Sequence, residues 1–204
     1  MQGRFDEARQ FARRSRDILL DLGLRLRASW VTETSGYIEL RAGDLAAAEG
    51  EFRSGYAEAE ELGEFGFRAT VAAEIGRVLV MQGRVEEGER FVGIAEGTAA
   101  EEDIGTHVLS LGARARILAA RGDTDEAVRA GRRAVMLSEQ TDDVNMQGDA
   151  LVDLGDVYLE LGREGDAIRS FETALLRYAA KGNVAAAERV RPRVSTGPGR
   201  GARG

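Results

Sequence analysis

The sequence lacks several residue types on which whole classes of function depend. Its 204 residues include no cysteine, one histidine and two prolines. The absence of cysteine excludes disulfide frameworks, thiol catalysis, iron–sulfur clusters and Cys-ligated zinc, and a single histidine excludes multi-histidine metal sites. No apolar run approaches the roughly 18 residues that span a bilayer, and the charged N-terminus lacks the apolar core of a secretory signal. We therefore expect a cytoplasmic protein without a membrane span.

The net charge of −7 is unevenly distributed along the chain. The last sixteen residues contain no acid and five arginines: Arg189, Arg191, Arg193, Arg200 and Arg203. The rest of the chain is therefore more strongly acidic than the whole, and such a body repels nucleic-acid phosphates. The basic tail could bind RNA or an acidic partner, although a solubilising end is the simpler interpretation.

A repeat of about 40 residues runs through the chain. Five segments align on a glycine and its following residues, and they begin at Gly3, Gly43, Gly83, Gly122 and Gly162. Self-similarity at a fixed period of this size indicates a solenoid. Apolar residues on either side of each glycine recur at helical spacing, whereas β-branched alternation is absent, so each unit is predicted to be a helical hairpin.

Small residues recur at two positions in each predicted hairpin. One precedes the repeated glycine by seven residues and the other follows it by five, as in Gly36 and Ala48 or Gly155 and Ala167. Small side chains at these positions would allow the two helices to approach closely. The glycine between them is expected to adopt a positive φ at the end of the first helix.

This pattern resembles the tetratricopeptide repeat (TPR), in a 40-residue form similar to that of maltose-type (MalT-like) LuxR activators and signalling ATPases. The passages TDDVNMQGDALVDLGDVYLELGREGDAI and LLRYAAKGNVAAAERVR are similar to the C-terminal TPR region of bacterial proteins that carry a nucleotide cyclase and an ATPase domain. The resemblance implies an all-α fold of antiparallel helix pairs in a right-handed superhelix, with about nine long helices and a C-terminal cap.

The expected domain organisation is a solenoid over residues 1–192 and a disordered Gly/Arg-rich tail over 193–204. Residues 4–21 are predicted to be the second helix of a pair whose first helix is absent, so a missing N-terminal domain or self-association would cover its apolar face. A short capping helix over 184–192 is expected to stop at Pro192.

The family resemblance also implies where a partner would bind. In TPR proteins the first helix of each pair lines a concave groove, and its groove-facing positions here are Trp30, Glu33, Tyr37, Arg41, Thr70, Arg77, Arg116, Asp149 and Asp156. Exposed Trp and Tyr are typical binding anchors, although Trp30 and Tyr37 could instead be core residues. The carboxylate clamp of chaperone-binding TPR proteins requires Asn and basic residues at positions that hold Glu33, Tyr37, Ala73 and Gly112 here, which excludes that specificity.

Other motifs favour catalysis only weakly. Asp149, Asp153 and Asp156 share one helix face and could hold a divalent metal, but a solvated face or an acidic patch explains them as well. The GxGxxG match at 199–204 follows no predicted strand, and a lone His107 is expected to be structural.

We therefore predict a non-catalytic protein-interaction module without a cofactor, forming the C-terminal part of a larger bacterial signalling ATPase, cyclase or transcriptional regulator. The alternatives are a self-associating scaffold and a metal-dependent enzyme that uses the three aspartates.

Overall fold

The computed structural model describes residues 2–195, and these residues form ten α-helices without a strand. Nine helices are 14–18 residues long and the last is a shorter cap, which confirms the predicted all-α arrangement. The helices are α1 (Phe5–Asp21), α2 (Arg25–Ala42), α3 (Leu45–Leu62), α4 (Phe65–Met81), α5 (Val85–Thr98), α6 (Ile104–Ala120), α7 (Thr124–Ser138), α8 (Val144–Glu160), α9 (Glu164–Lys181) and α10 (Val184–Ser195).

Gly43, Gly83, Gly122 and Gly162 follow the first helix of a pair, as predicted, and Gly3 precedes α1. All five have a positive φ, between 69° at Gly162 and 91° at Gly43. At Gly43 the next amide, that of Asp44, donates to the Glu39 carbonyl oxygen at 3.0 Å, a bond that satisfies one of the last carbonyls of α2. Sequence reasoning missed a second set of positive-φ glycines, Gly23, Gly63 and Gly182, which stand between one pair and the next.

The small residues bring paired helices into close contact. Gly76 of α4 and Gly88 of α5 face one another, and a Cβ placed on Gly88 would lie 2.9 Å from the Gly76 carbonyl oxygen. Larger side chains fill the space beside these contacts, and Phe52 and Phe171 are each fully buried. Helix pairing therefore follows the alternation of small and large residues along each repeat.

The chain divides into two compact units, each with its own core. The N-terminal unit (Gly3–Ala113) buries Phe52, Leu40 and Ile75, with α2, α3 and α4 as the elements around them. The C-terminal unit, from Arg114 onwards, buries Phe171 and Tyr178 between α8, α9 and α10. None of the helices described combines the length and hydropathy needed to span a bilayer.

The C-terminal helix, α10, is longer than the sequence predicts. It does not stop at Pro192 but continues to Ser195, with Pro192 inside it. Proline has no backbone N–H and cannot donate a hydrogen bond to the Glu188 carbonyl oxygen. Because Glu188 is exposed, water can donate that hydrogen bond instead. Arg193 also holds the last turn, since its guanidinium lies 4.1 Å from the Phe171 ring centre and pairs with Asp156. Residues 193–195 are thus helical, and the rest of the predicted tail lies outside the described residues.

Candidate functional site

Trp30, Glu33 and Tyr37 form one stripe along α2, because their spacing of three and four residues places them on one helix face. Trp30 is 46% exposed, and its ring packs against that of Phe67 in an edge-to-face arrangement with ring centres 6.5 Å apart. The ring is therefore held in place by the core while much of its surface faces solvent. The interpretation of Trp30 as a core residue does not fit this exposure.

Glu33 is a partly buried carboxyl group one turn from Trp30. Burial raises the pKa of Glu33 above its ordinary value, and the nearby charge of Asp103 raises it further. Asp103 precedes α6, so Glu33 of α2 lies within electrostatic reach of the start of α6. A positively charged group placed beside Glu33 would favour its ionised form.

Tyr37 has both a core role and a polar contact. Its ring packs edge-on against Phe52 with centres 5.8 Å apart, and its hydroxyl donates to Glu74 of α4. Glu74 is fully buried and Arg77 is 4% exposed, so both lie beneath the surface. Arg41, one turn beyond Tyr37, is partly buried.

A hydrogen-bonded chain of three side chains joins α4 to α6. The hydroxyls of Thr70 and Thr106 lie 2.8 Å apart, and the Thr106 hydroxyl also donates to Asp103 at 2.6 Å. A second Asp103 oxygen accepts from the Thr106 amide at 3.0 Å, which places Asp103 in the role of an N-cap for α6. These polar contacts therefore link the first helices α4 and α6 of the N-terminal unit.

The corresponding face of the C-terminal unit consists of paired charges. Arg116 of α6 donates to Asp156 and lies 3.5 Å from Asp153, both on α8. Asp156 also pairs with Arg193 of α10. Burial lowers the pKa of Arg193, and the neighbouring charge of Arg116 lowers it further. Two arginines and two aspartates thus neutralise one another across three helices.

Asp149 lies deeper in the C-terminal unit. It is 9% exposed and accepts a hydrogen bond from the hydroxyl of Tyr178, itself 1% exposed. Within residues 2–195, no cluster of three or more His, Cys, Asp or Glu side chains is arranged to hold a metal ion. The three aspartates instead contact Tyr178 and two arginines.

The nine groove positions therefore differ in their surroundings. Trp30 is exposed, six are partly buried, and Arg77 and Asp149 are buried. Among the six, Tyr37, Thr70, Arg116 and Asp156 each have a polar partner on the next first helix or on α10. Sequence reasoning missed Glu74, Asp103, Thr106 and Arg193. The signal for three of them is an offset of 36 or 37 residues, about one repeat, from a predicted position: Glu74 from Tyr37, Thr106 from Thr70 and Arg193 from Asp156.

Two motifs from the sequence remain, His107 and the GxGxxG match. The His107 ring nitrogen lies 3.0 Å from the Ala100 carbonyl oxygen, a contact that caps the loop before α6. The GxGxxG match at 199–204 lies outside the described residues.

Two family models for the tetratricopeptide repeat match the sequence, one over residues 1–14 and 108–133 and the other over residues 148–187. The chain contains tetratricopeptide repeats. No curated protein matches it. The matched residues lie in both units.

Several solved structures are similar to this chain over most of its length. BtubC (BKLC) from P. vanneervenii matches with a TM-score of 0.57 and 16% identity, over 98% of this chain and 78% of that one. A signal transduction ATPase with numerous domains (STAND) and a TPR sensor, from Pyrococcus horikoshii, matches with a TM-score of 0.55 and 15% identity. Apo RapI matches with a TM-score of 0.51 and 13% identity. At these identities the likeness establishes the fold alone.

The match to the STAND protein covers 88% of this chain but 29% of that protein, and the match to RapI covers 90% and 53%. This TPR chain therefore spans only part of the length of these two proteins. The likeness to maltose-type activators stays a prediction.

Proposed function

We propose that this TPR chain is a protein-interaction module whose binding surface is the first-helix face of the N-terminal unit. The observation that supports it is Trp30, which is 46% exposed while its ring packs against that of Phe67 in an edge-to-face arrangement. A large aromatic surface held rigidly loses little conformational entropy when a partner covers it. The module would have no catalytic role of its own and would act in the cytoplasm.

Charge indicates the chemistry of the partner. Glu33 lies one turn from Trp30, and both burial and Asp103 work against its ionisation. A basic or amide-bearing side chain from a bound peptide would relieve that cost and could stack on Trp30 at the same time. We therefore propose a protein or peptide partner that inserts a basic side chain between Trp30 and Glu33, with Tyr37, Arg41 and Thr70 as flanking contacts.

The C-terminal face is a weaker candidate for the same role. Arg116 and Asp156 already pair with one another and with Arg193, so a partner would have to compete with these contacts. Arg77 and Asp149 would require a local rearrangement to reach a ligand, because both are buried.

The biological setting we propose is regulatory. The STAND protein is described as an ATPase with a TPR sensor, and a sensor role beside a signalling ATPase or nucleotide cyclase, or within a transcriptional regulator, would suit a rigid binding surface. Here the module would form the C-terminal part of such a protein.

The test is affinity capture with matched variants. Wild type should retain a specific partner from a lysate of the source organism, and Trp30→Ala should lose it while keeping its helical circular dichroism. Leu176→Ala is the control, because Leu176 is 71% exposed on α9. Equal recovery by the two variants would contradict the proposed surface.

A further inference from the structure

Helix α5 binds α3 through an arginine, a glutamate and a phenylalanine at positions i, i+3 and i+7: Arg84, Glu87 and Phe91. Arg84 donates to Glu49 of α3 at 2.6 Å. Glu87 accepts from Arg53 at 2.6 Å. The Phe91 ring packs edge-on against Tyr56 at 5.8 Å, and the Arg53 guanidinium lies 5.0 Å from its centre. Two ion pairs and an aromatic contact thus join these neighbouring second helices.

The same three residue types occur two repeats earlier, as Arg4 at the N-cap of α1 and Glu7 and Phe11 within it. Arg4 pairs with Glu7 at 3.1 Å, as Arg84 pairs with Glu87 at 2.5 Å. In α1, however, this face is open. The Phe11 side chain is 70% exposed, and the Glu7 side chain is 56% exposed where that of Glu87 is 29% exposed.

We propose that the face of α1 formed by Arg4, Glu7 and Phe11 binds a partner helix that carries an acid, an arginine and an aromatic residue at i, i+4 and i+7. This is the pattern that α3 presents to α5 with Glu49, Arg53 and Tyr56. The acid would pair with Arg4, the arginine with Glu7, and the aromatic ring would pack on Phe11. Ile18 and Leu22, exposed by 50% and 67%, would extend the apolar contact along α1.

A second copy of the chain is a poor occupant of this face. Only α3 presents the required pattern among the second helices, and α5 already covers that surface. The equivalent triplets on α5, α7 and α9 are Glu89/Gly93/Glu96, Val128/Arg132/Val135 and Ile168/Glu172/Leu175. None of them combines an acid, an arginine and an aromatic residue, so these second helices do not offer the complementary pattern. This surface is separate from the face that contains Trp30, and the inference does not depend on the function proposed for it.

The probe for this site is a fluorescent peptide of residues 44–63, which carries the α3 pattern. Short helices are only marginally stable in water, so the peptide is held helical by a lactam bridge between positions 50 and 54, both exposed in α3. Fluorescence anisotropy with the full chain should give saturable binding. Phe11→Glu should weaken it by about tenfold or more, because an aromatic contact and its desolvated surface are lost. Leu176→Glu, on the exposed surface of α9, should leave it unchanged.

A charge exchange separates recognition from a general loss of structure. Glu7→Arg in the chain should weaken binding by about three- to fivefold, the effect expected for one partly exposed ion pair. Arg53→Glu in the peptide should restore it, since the two charges have only exchanged places. Absence of peptide binding, equal binding by Phe11→Glu, or failure of the rescue would overturn the proposal. So would a wild-type dimer in light scattering that Phe11→Glu converts to a monomer, because the occupant would then be a second copy.

Discussion

The contact between Gly76 and Gly88 allows a stability prediction with an internal control. Both Gly88 and Gly93 are glycines inside α5, and replacing either by alanine removes the same excess backbone freedom from the unfolded chain. Their surroundings differ. A Cβ at Gly88 would lie 2.7 Å from the Val80 Cγ2 atom and 2.9 Å from the Gly76 carbonyl oxygen, whereas a Cβ at Gly93 would meet nothing within 4 Å.

The magnitude follows from the difference between these two sites. Alanine should stabilise the helix by about 0.5–1 kcal/mol at either position. At Gly88 the methyl group would also push two helix backbones apart, and overpacking of this kind costs about 1–3 kcal/mol. Gly93→Ala should therefore be more stable than Gly88→Ala by about 1–3 kcal/mol, and only Gly93→Ala should exceed wild type.

The assay is urea unfolding of the three proteins followed by circular dichroism, supported by thermal unfolding. For a chain of this size, a difference of 1 kcal/mol corresponds to roughly 2–4 °C in Tm. Equal stability of Gly88→Ala and Gly93→Ala would refute the reasoning, because α4 and α5 could not then be in backbone contact at this point.

Three further predictions concern polar groups. Glu33→Gln should stabilise the protein at neutral pH, because the raised pKa of Glu33 means that its ionisation favours the unfolded chain. Urea unfolding at about pH 4, where the carboxyl group is protonated in both states, should show that this gain in stability disappears. Tyr178→Phe should cost about 1–3 kcal/mol by the same assay, because the hydroxyl that hydrogen-bonds to buried Asp149 is lost. Arg193→Ala should raise amide exchange in α10 and leave α3 and α5 unchanged, since contacts in a solenoid are between neighbours.

The repeat itself could be derived from the sequence because its determinants are local. The glycine corners, the small residues and the helical apolar spacing each act within one hairpin, and the structure places Gly3, Gly43, Gly83, Gly122 and Gly162 at equivalent positive-φ turns. The end of α10 was predicted less well. Pro192 is a local stop signal, but the contacts of Arg193 with Phe171 and Asp156 are tertiary and are not visible in the sequence of that helix.

The candidate site was only partly predictable for a similar reason. Helix periodicity places Trp30, Glu33 and Tyr37 on one face, but it does not give their depth. The ring of Tyr37 is part of the core and its hydroxyl is bonded to buried Glu74. Likewise, the sequence of α8 alone predicts an exposed acidic face at its aspartates. In the structure, Arg116 and Arg193 from two other helices pair with them. Such pairings depend on how one repeat stacks on the next.

A partner that covers Trp30 can be detected directly by site-specific photo-crosslinking. A benzophenone amino acid would replace Trp30 in one protein and Leu176 in another, both exposed in the structure, and each would be irradiated in cells of the source organism. We expect position 30 to give a discrete crosslinked protein, with the crosslink mapped to a segment that carries a basic side chain. Position 176 should not crosslink to that protein. No adduct at position 30, or the same adducts from both positions, would contradict the proposed binding surface.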